Sequence, residues 1–142
     1  MSKAETAVQI FDGGCNCAQA VFGAYAGDFG VEKNQALSLA VGFGGGMGRT
    51  QDVCGAVSGA IMALGMRTGF KEGEGRDRIN AAYAQVRHFI EEFTKQTGTI
   101  KCRELLSGCS LSSDEGKKFF KEHKLRDNCR GFIRLACELL GE

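Results

Sequence analysis

Proline is absent from the 142-residue chain, and glycine, present at 21 positions, does the punctuating in its place. Only two histidines occur. His88 falls on the polar side of a helical pattern and His123 among lysines, so both read as surface residues, and a Cys-His nucleophilic pair, with hydrolysis of any kind, is unsupported. No Cys-x-x-Cys pair is present, which removes the thioredoxin-type motif, the zinc-ribbon knuckle and c-type haem attachment. Charge of one sign is lacking too: 18 Lys and Arg face 17 Asp and Glu, and residues 1–70 carry four basic and five acidic groups. No field draws the chain onto nucleic acid or an anionic membrane. No apolar run approaches the roughly 20 residues of a membrane span, so no membrane insertion is expected. The start shows no basic segment leading into an apolar one. The expected setting is therefore cytoplasmic and reducing, where seven cysteines serve as reactive thiols or metal ligands rather than as permanent disulfides.

What is present is the balance of a globular protein, 43% apolar and 25% charged, long enough for one domain over residues 1–142 with its own core. The periodicity is helical throughout. Ala4, Ala7, Val8 and Phe11 form a short first helix ending at Gly13-Gly14. Asn16 with Gln19 forms a capping-box pattern that starts a second helix at about Cys17. Glu32 to Val41 reads as a third, closed by a flexible glycine run from Gly42 to Gly48. After Asp52, a candidate N-cap, Val53 to about Met66 is small or apolar on nearly every face and reads as a central helix buried all round. Arg76 to Thr97 is a long amphipathic outer helix. A short turn at Ile100 to Leu106 follows, then a helix opened by Ser112 and Glu115, and a last helix starting after Asp127-Asn128. The expectation is an all-α, single-domain bundle of about six to seven helices around the central one.

Four cysteines share one local setting: Cys17, Cys54, Cys102 and Cys129 each fall in the first turn of an expected helix. Free backbone N–H groups and the positive end of the helix dipole favour a thiolate there, which is what a nucleophilic or metal-binding cysteine requires. Cys17 and Cys129 also lie on apolar stripes, so separate helix starts could converge. Set against this, free cysteine is often simply a small buried hydrophobe. That reading suits Cys137 on the core stripe of the last helix. Cys15 is too close to Cys17 for an unstrained bridge, and Cys109, past a helix end, reads as an exposed thiol. Gly55 and Gly59, one helical turn apart, let another helix approach closely. The Gly42 to Gly48 run carries no G-x-G-x-x-G and no Walker pattern, so a nucleotide reading fails. Arg49 beside it is a candidate contact for an anion or a cluster.

Asn16-Cys17-Ala18-Gln19-Ala20-Val21-Phe22, Cys54-Gly55-Ala56-Val57-Ser58-Gly59-Ala60, Cys102-Arg103-Glu104-Leu105-Leu106 and Cys129 ahead of Gly131-Phe132-Ile133 together resemble the C_GCAxxG_C_C family. The resemblance spans nearly the whole chain. It implies a redox-active protein whose characteristic cysteines are Cys17, Cys54, Cys102 and Cys129, and leaves Cys15, Cys109 and Cys137 outside the pattern. Two redox chemistries follow: dithiol–disulfide cycling between two of the four, as in a thiol-based oxidoreductase, or four-cysteine binding of an iron–sulfur cluster for electron transfer to a redox partner protein. The alternative is a zinc-stabilised or purely structural helical module that binds a partner protein. A homodimer is the commonest assembly for a protein of this kind.

Overall fold

Two capping boxes open the chain. Ser2 and Glu5 close one around α1 (Lys3–Asp12), and Asn16 and Gln19 close the other around α2 (Cys17–Ala26), with Gln19 N–H on Asn16 Oδ1 at 3.0 Å and Asn16 N–H on Gln19 Oε1 at 2.9 Å. In the computed structural model, which describes residues 1–142, they are followed by α3 (Lys33–Ala40), α4 (Gly55–Thr68), α5 (Arg76–Thr97), the four-residue α6 (Cys102–Leu105), α7 (Asp114–Glu122) and α8 (Leu125–Leu140). The all-α class is as expected. Eight helices stand where six to seven were anticipated, because the turn after Ile100 closes a short helix of its own.

The centre is shared by two helices. α2 packs against α1, α3, α4 and α8 and buries Ala18, Ala20, Val21, Phe22, Ala24, Tyr25 and Ala26, leaving almost no outer face. The Tyr25 hydroxyl, wholly inside, donates to the carbonyls of Cys137 (3.0 Å) and Gly141 (2.7 Å) and so fastens the end of α8 to this core. α4 was expected to be buried all round. Only its first half is: Gly55 to Ala60 lie inside, whereas Gly65, Met66 and Arg67 reach solvent. α5 keeps its expected bounds but buries only Phe89 and Phe93, and Tyr83, on the same stripe, is 54% exposed. No helix is long and apolar enough to cross a membrane.

Three helix starts differ from the expected ones. Cys54 is itself the N-cap of α4 instead of lying inside its first turn. Ser113, not Ser112, caps α7 by accepting the Gly116 N–H. Most consequentially, α8 begins at Leu125, so Cys129 is its fifth residue and lies beyond the first turn. Lys124 adopts φ 52° and turns α7 directly into α8 without a loop, and Asp127 pairs with Arg130 instead of capping.

Candidate functional site

The close approach of α2 and α4 is made by missing side chains. A Cβ on Gly55 would lie 3.0 Å from the Ala18 nitrogen and 3.1 Å from the Cys17 Cβ, and one on Gly59 would lie 2.8 Å from the Ala18 carbonyl oxygen. The two helix starts therefore abut, with Cys17 at the first position of α2 and Cys54 capping α4.

Cys54 and Cys102, far apart in sequence, are brought together by a patch of antiparallel backbone. Val53 and Lys101 form a single bridge, the Cys54 N–H donates to Ile100 O at 2.7 Å, and the Cys102 N–H donates to Asp52 O at 2.7 Å. The glycine run docks on the other side of the same segment, through Gln51 N–H on Gly45 O (3.1 Å) and Asp52 N–H on Gly46 O (2.9 Å). That run is an ordered turn and not the expected flexible hinge: φ is positive at five successive residues, Gly45, Gly46, Met47, Gly48 and Arg49. Side chains resist this region, and Gly46 must also be bare because a Cβ there would stand 2.7 Å from the Cys102 Cβ. Gln51, also at positive φ (60°) and buried, holds the loop beyond α6: its amide donates to Cys109 O at 2.6 Å and accepts from the Leu111 N–H at 2.8 Å.

α8 supplies the fourth wall. Arg130 is tied to Asp12 (2.8 Å) and Asp127 (2.5 Å), and Arg126 donates to Phe11 O (3.1 Å) with its guanidinium 4.0 Å over the Phe11 ring, so the start of α8 is clamped to the end of α1. Cys17, Cys54, Cys102 and Cys129 all line one cavity of about 670 Å³. Cys15 lines it as well. Cys137 lies apart in the core, as expected. Cys109, expected to be exposed, is buried, its thiol donating to Gly116 O at 3.0 Å. No disulfide joins any of the seven.

A family model described as "Putative redox-active protein (C_GCAxxG_C_C)" matches residues 15–142. The chain belongs to the C_GCAxxG_C_C family. An uncharacterized protein of Archaeoglobus fulgidus is 27% identical over 129 residues, covering 83% of this chain and 85% of its own. No solved structure matches.

The C_GCAxxG_C_C cavity tests the idea that helix starts lower thiol pKa values, and for three of the four cysteines the sign is the reverse. Burial pushes Cys54 up to about 12, although the Ala56 and Val57 N–H groups pull against it. Burial, with the charge of Cys129, pushes Cys102 up to about 11 in spite of a hydrogen bond from Gln51. Cys17 is raised because its proton is held between itself and Cys129, and burial adds to this. A helix terminus contributes about 0.3–1 kcal/mol, under one pKa unit, whereas burial can shift a group by several units, so desolvation wins. Cys129 alone is lowered: the Cys17 thiol hydrogen-bonds to its thiolate, and Arg126 and Arg130 add positive charge. Neither arginine, nor Gln51, carries a motif that singles it out in the sequence. The only signals are two Arg four residues apart around Cys129 and a polar residue just before Asp52.

No three His, Cys, Asp or Glu side chains converge where they could hold one metal ion. Zinc at about 2.3 Å from each sulfur needs thiolates roughly 3.8 Å apart around one point, so a mononuclear zinc centre does not fit. An iron–sulfur cluster makes a different demand, since its thiolates are distributed over several irons. The lining holds five cysteines, Cys15 beside Cys17, Cys54, Cys102 and Cys129, and no carboxylate, a soft donor set that suits a cluster.

Proposed function

We propose that Cys17, Cys54, Cys102 and Cys129 form one redox centre, and that the group suited to it is an iron–sulfur cluster held by these four thiolates. The observation that carries this reading is the one cavity that all four thiols line, free of carboxylates. Cys17, through its hydrogen bond to Cys129 and burial, and Cys54 and Cys102, through burial, hold their protons in the metal-free protein and would release them on binding a cationic cluster. A cluster there would supply one-electron transfer. The protein's own part is to fix the donors through the Gly55 and Gly59 contact and the Val53–Lys101 bridge. Gln51 orients Cys102, and Arg126 and Arg130 offset negative charge at Cys129.

A second reading is favoured by the contact of Cys17 with Cys129. Cys129 is the thiolate most easily formed and Cys17 its immediate neighbour, the arrangement of an attacking and a resolving thiol. Cys17 and Cys129 would then lose two protons and two electrons to form one disulfide, the electrons passing to a redox partner protein. Metal and sulfide analysis of protein purified without oxygen separates the readings. Iron with acid-labile sulfide supports the cluster. Colourless, metal-free protein that forms a Cys17–Cys129 disulfide on mild oxidation supports the dithiol. Stoichiometric zinc overturns both in favour of a structural module.

A further inference from the structure

The cavity is larger and differently charged than four thiols require. Arg49, Lys117 and Arg126 line it, and no Asp or Glu does. Arg49 and Lys117 are exposed, and no carboxylate in the lining is there to neutralise them. Three cations and no acid thus share one lining on a chain of net charge only +1. Arg49 is held there by backbone in the region side chains resist, at φ 67°. Much of the rest of the lining is apolar: Leu105, Leu106, Leu111, Phe120 and Phe132. About 670 Å³ with apolar walls and a few placed polar groups is the size and make-up of a small-molecule site.

We infer that this cavity binds a small organic dianion, an apolar body bearing a phosphate or paired carboxylates, with its charge on Arg49 and Lys117 and its body against the phenylalanine and leucine wall. Such a molecule lies in the space the cysteines line, which is where a small redox substrate of that class would be held. The inference needs the cations and the wall, not the thiols, so it stands or falls apart from the redox centre. Phenyl phosphate has this chemistry, and inorganic phosphate has the charge without the body.

Calorimetric titration of the anaerobically purified protein with each compound tests it. The expected result is saturable binding of phenyl phosphate that weakens as salt is raised. Inorganic phosphate should bind at least 10-fold more weakly, and the Arg49→Gln/Lys117→Gln variant should lose at least 10-fold in affinity for phenyl phosphate while keeping wild-type iron and thiol content. Absence of binding, equal affinity for the two phosphates, or unchanged affinity in the variant overturns the inference. So does a fall in iron or thiol content in the variant, which would assign the two cations to the redox centre itself. Failure of the redox reading is seen separately, in cysteine variants that leave metal and disulfide behaviour untouched.

Discussion

Replacing Gly59 with alanine tests the packing that builds the site. The new Cβ would stand 2.8 Å from the Ala18 carbonyl oxygen and 3.1 Å from the Val21 Cβ, and the oxygen belongs to the backbone of α2, which cannot rotate aside. α4 must move away by several tenths of an ångström. Overpacking of this kind costs about 1–3 kcal/mol. Alanine also returns about 1 kcal/mol of helix propensity, so the comparison needs a control, and Gly65→Ala provides it: the same helix, the same gain, and nothing within 4 Å of the added carbon. Gly65→Ala is expected to stabilise. Gly59→Ala should lie about 1–3 kcal/mol below it, roughly 3–10 °C in melting temperature. Because the displaced helix start carries Cys54, iron retention or Cys17 reactivity should change in Gly59→Ala only. Equal melting of the two variants would show that the glycine contact does not set the α2–α4 distance, and the reasoning would fail.

Alkylation of metal-free, reduced, folded protein by iodoacetamide should find Cys129 first, near neutral pH, whereas Cys54 and Cys102 react only as the pH approaches 12 and 11; peptide mapping that found Cys54 labelled first would contradict this order. In the same metal-free state the folded protein keeps the Cys54 proton above the ordinary thiol pKa of about 8.5, where the unfolded chain loses it. Stability is therefore undiminished below that pH and falls between it and about 12, by about 1 kcal/mol per pH unit from this residue. Cys54→Ser should flatten the slope in denaturant melts at pH 8 and 10. Gln51→Leu strands the Cys109 carbonyl and the Leu111 N–H, an expected loss of about 2–4 kcal/mol, and should expose Cys109 to native-state labelling; unchanged stability would remove Gln51 from the account.

Local signals were legible in the sequence, and contacts made across the chain were not. The Asn16–Gln19 capping box and the Arg76–Thr97 helix stand where periodicity and capping put them, because those signals act within a few residues. The same logic misplaced the start of α8: Asp127-Asn128 has capping chemistry, but Lys124 in the left-handed region starts the helix at Leu125, four residues earlier. The glycine run read as flexible because its glycines fit a hinge as well as a turn, and only docking on residues 51–52 and Cys102 distinguishes the two. The four cysteines singled out by expected helix position do line one cavity, but the inferred thiolate character fails at Cys17, Cys54 and Cys102, where burial outweighs the dipole, and Cys129, beyond the first turn of α8, owes its lowered pKa to Cys17 and two arginines. Cys109 read as exposed because nothing local announces the Gly116 carbonyl that receives its thiol.

The central claim, one centre made from Cys17, Cys54, Cys102 and Cys129, is tested most directly by anaerobic iron and sulfide reconstitution of single serine variants, followed by visible absorbance beside a circular dichroism melt. Cys54→Ser changes volume little while replacing a soft ligand with a hard one, so it should keep the helical fold and lose the iron–sulfur absorbance, as should serine at the other three positions. Cys137→Ser should keep the absorbance and lose at most about 1 kcal/mol of stability, because the Tyr25 hydroxyl beside the Cys137 side chain offers the new hydroxyl a partner. Full reconstitution in Cys54→Ser, with a fold and thiol behaviour identical to the parent, would contradict the account.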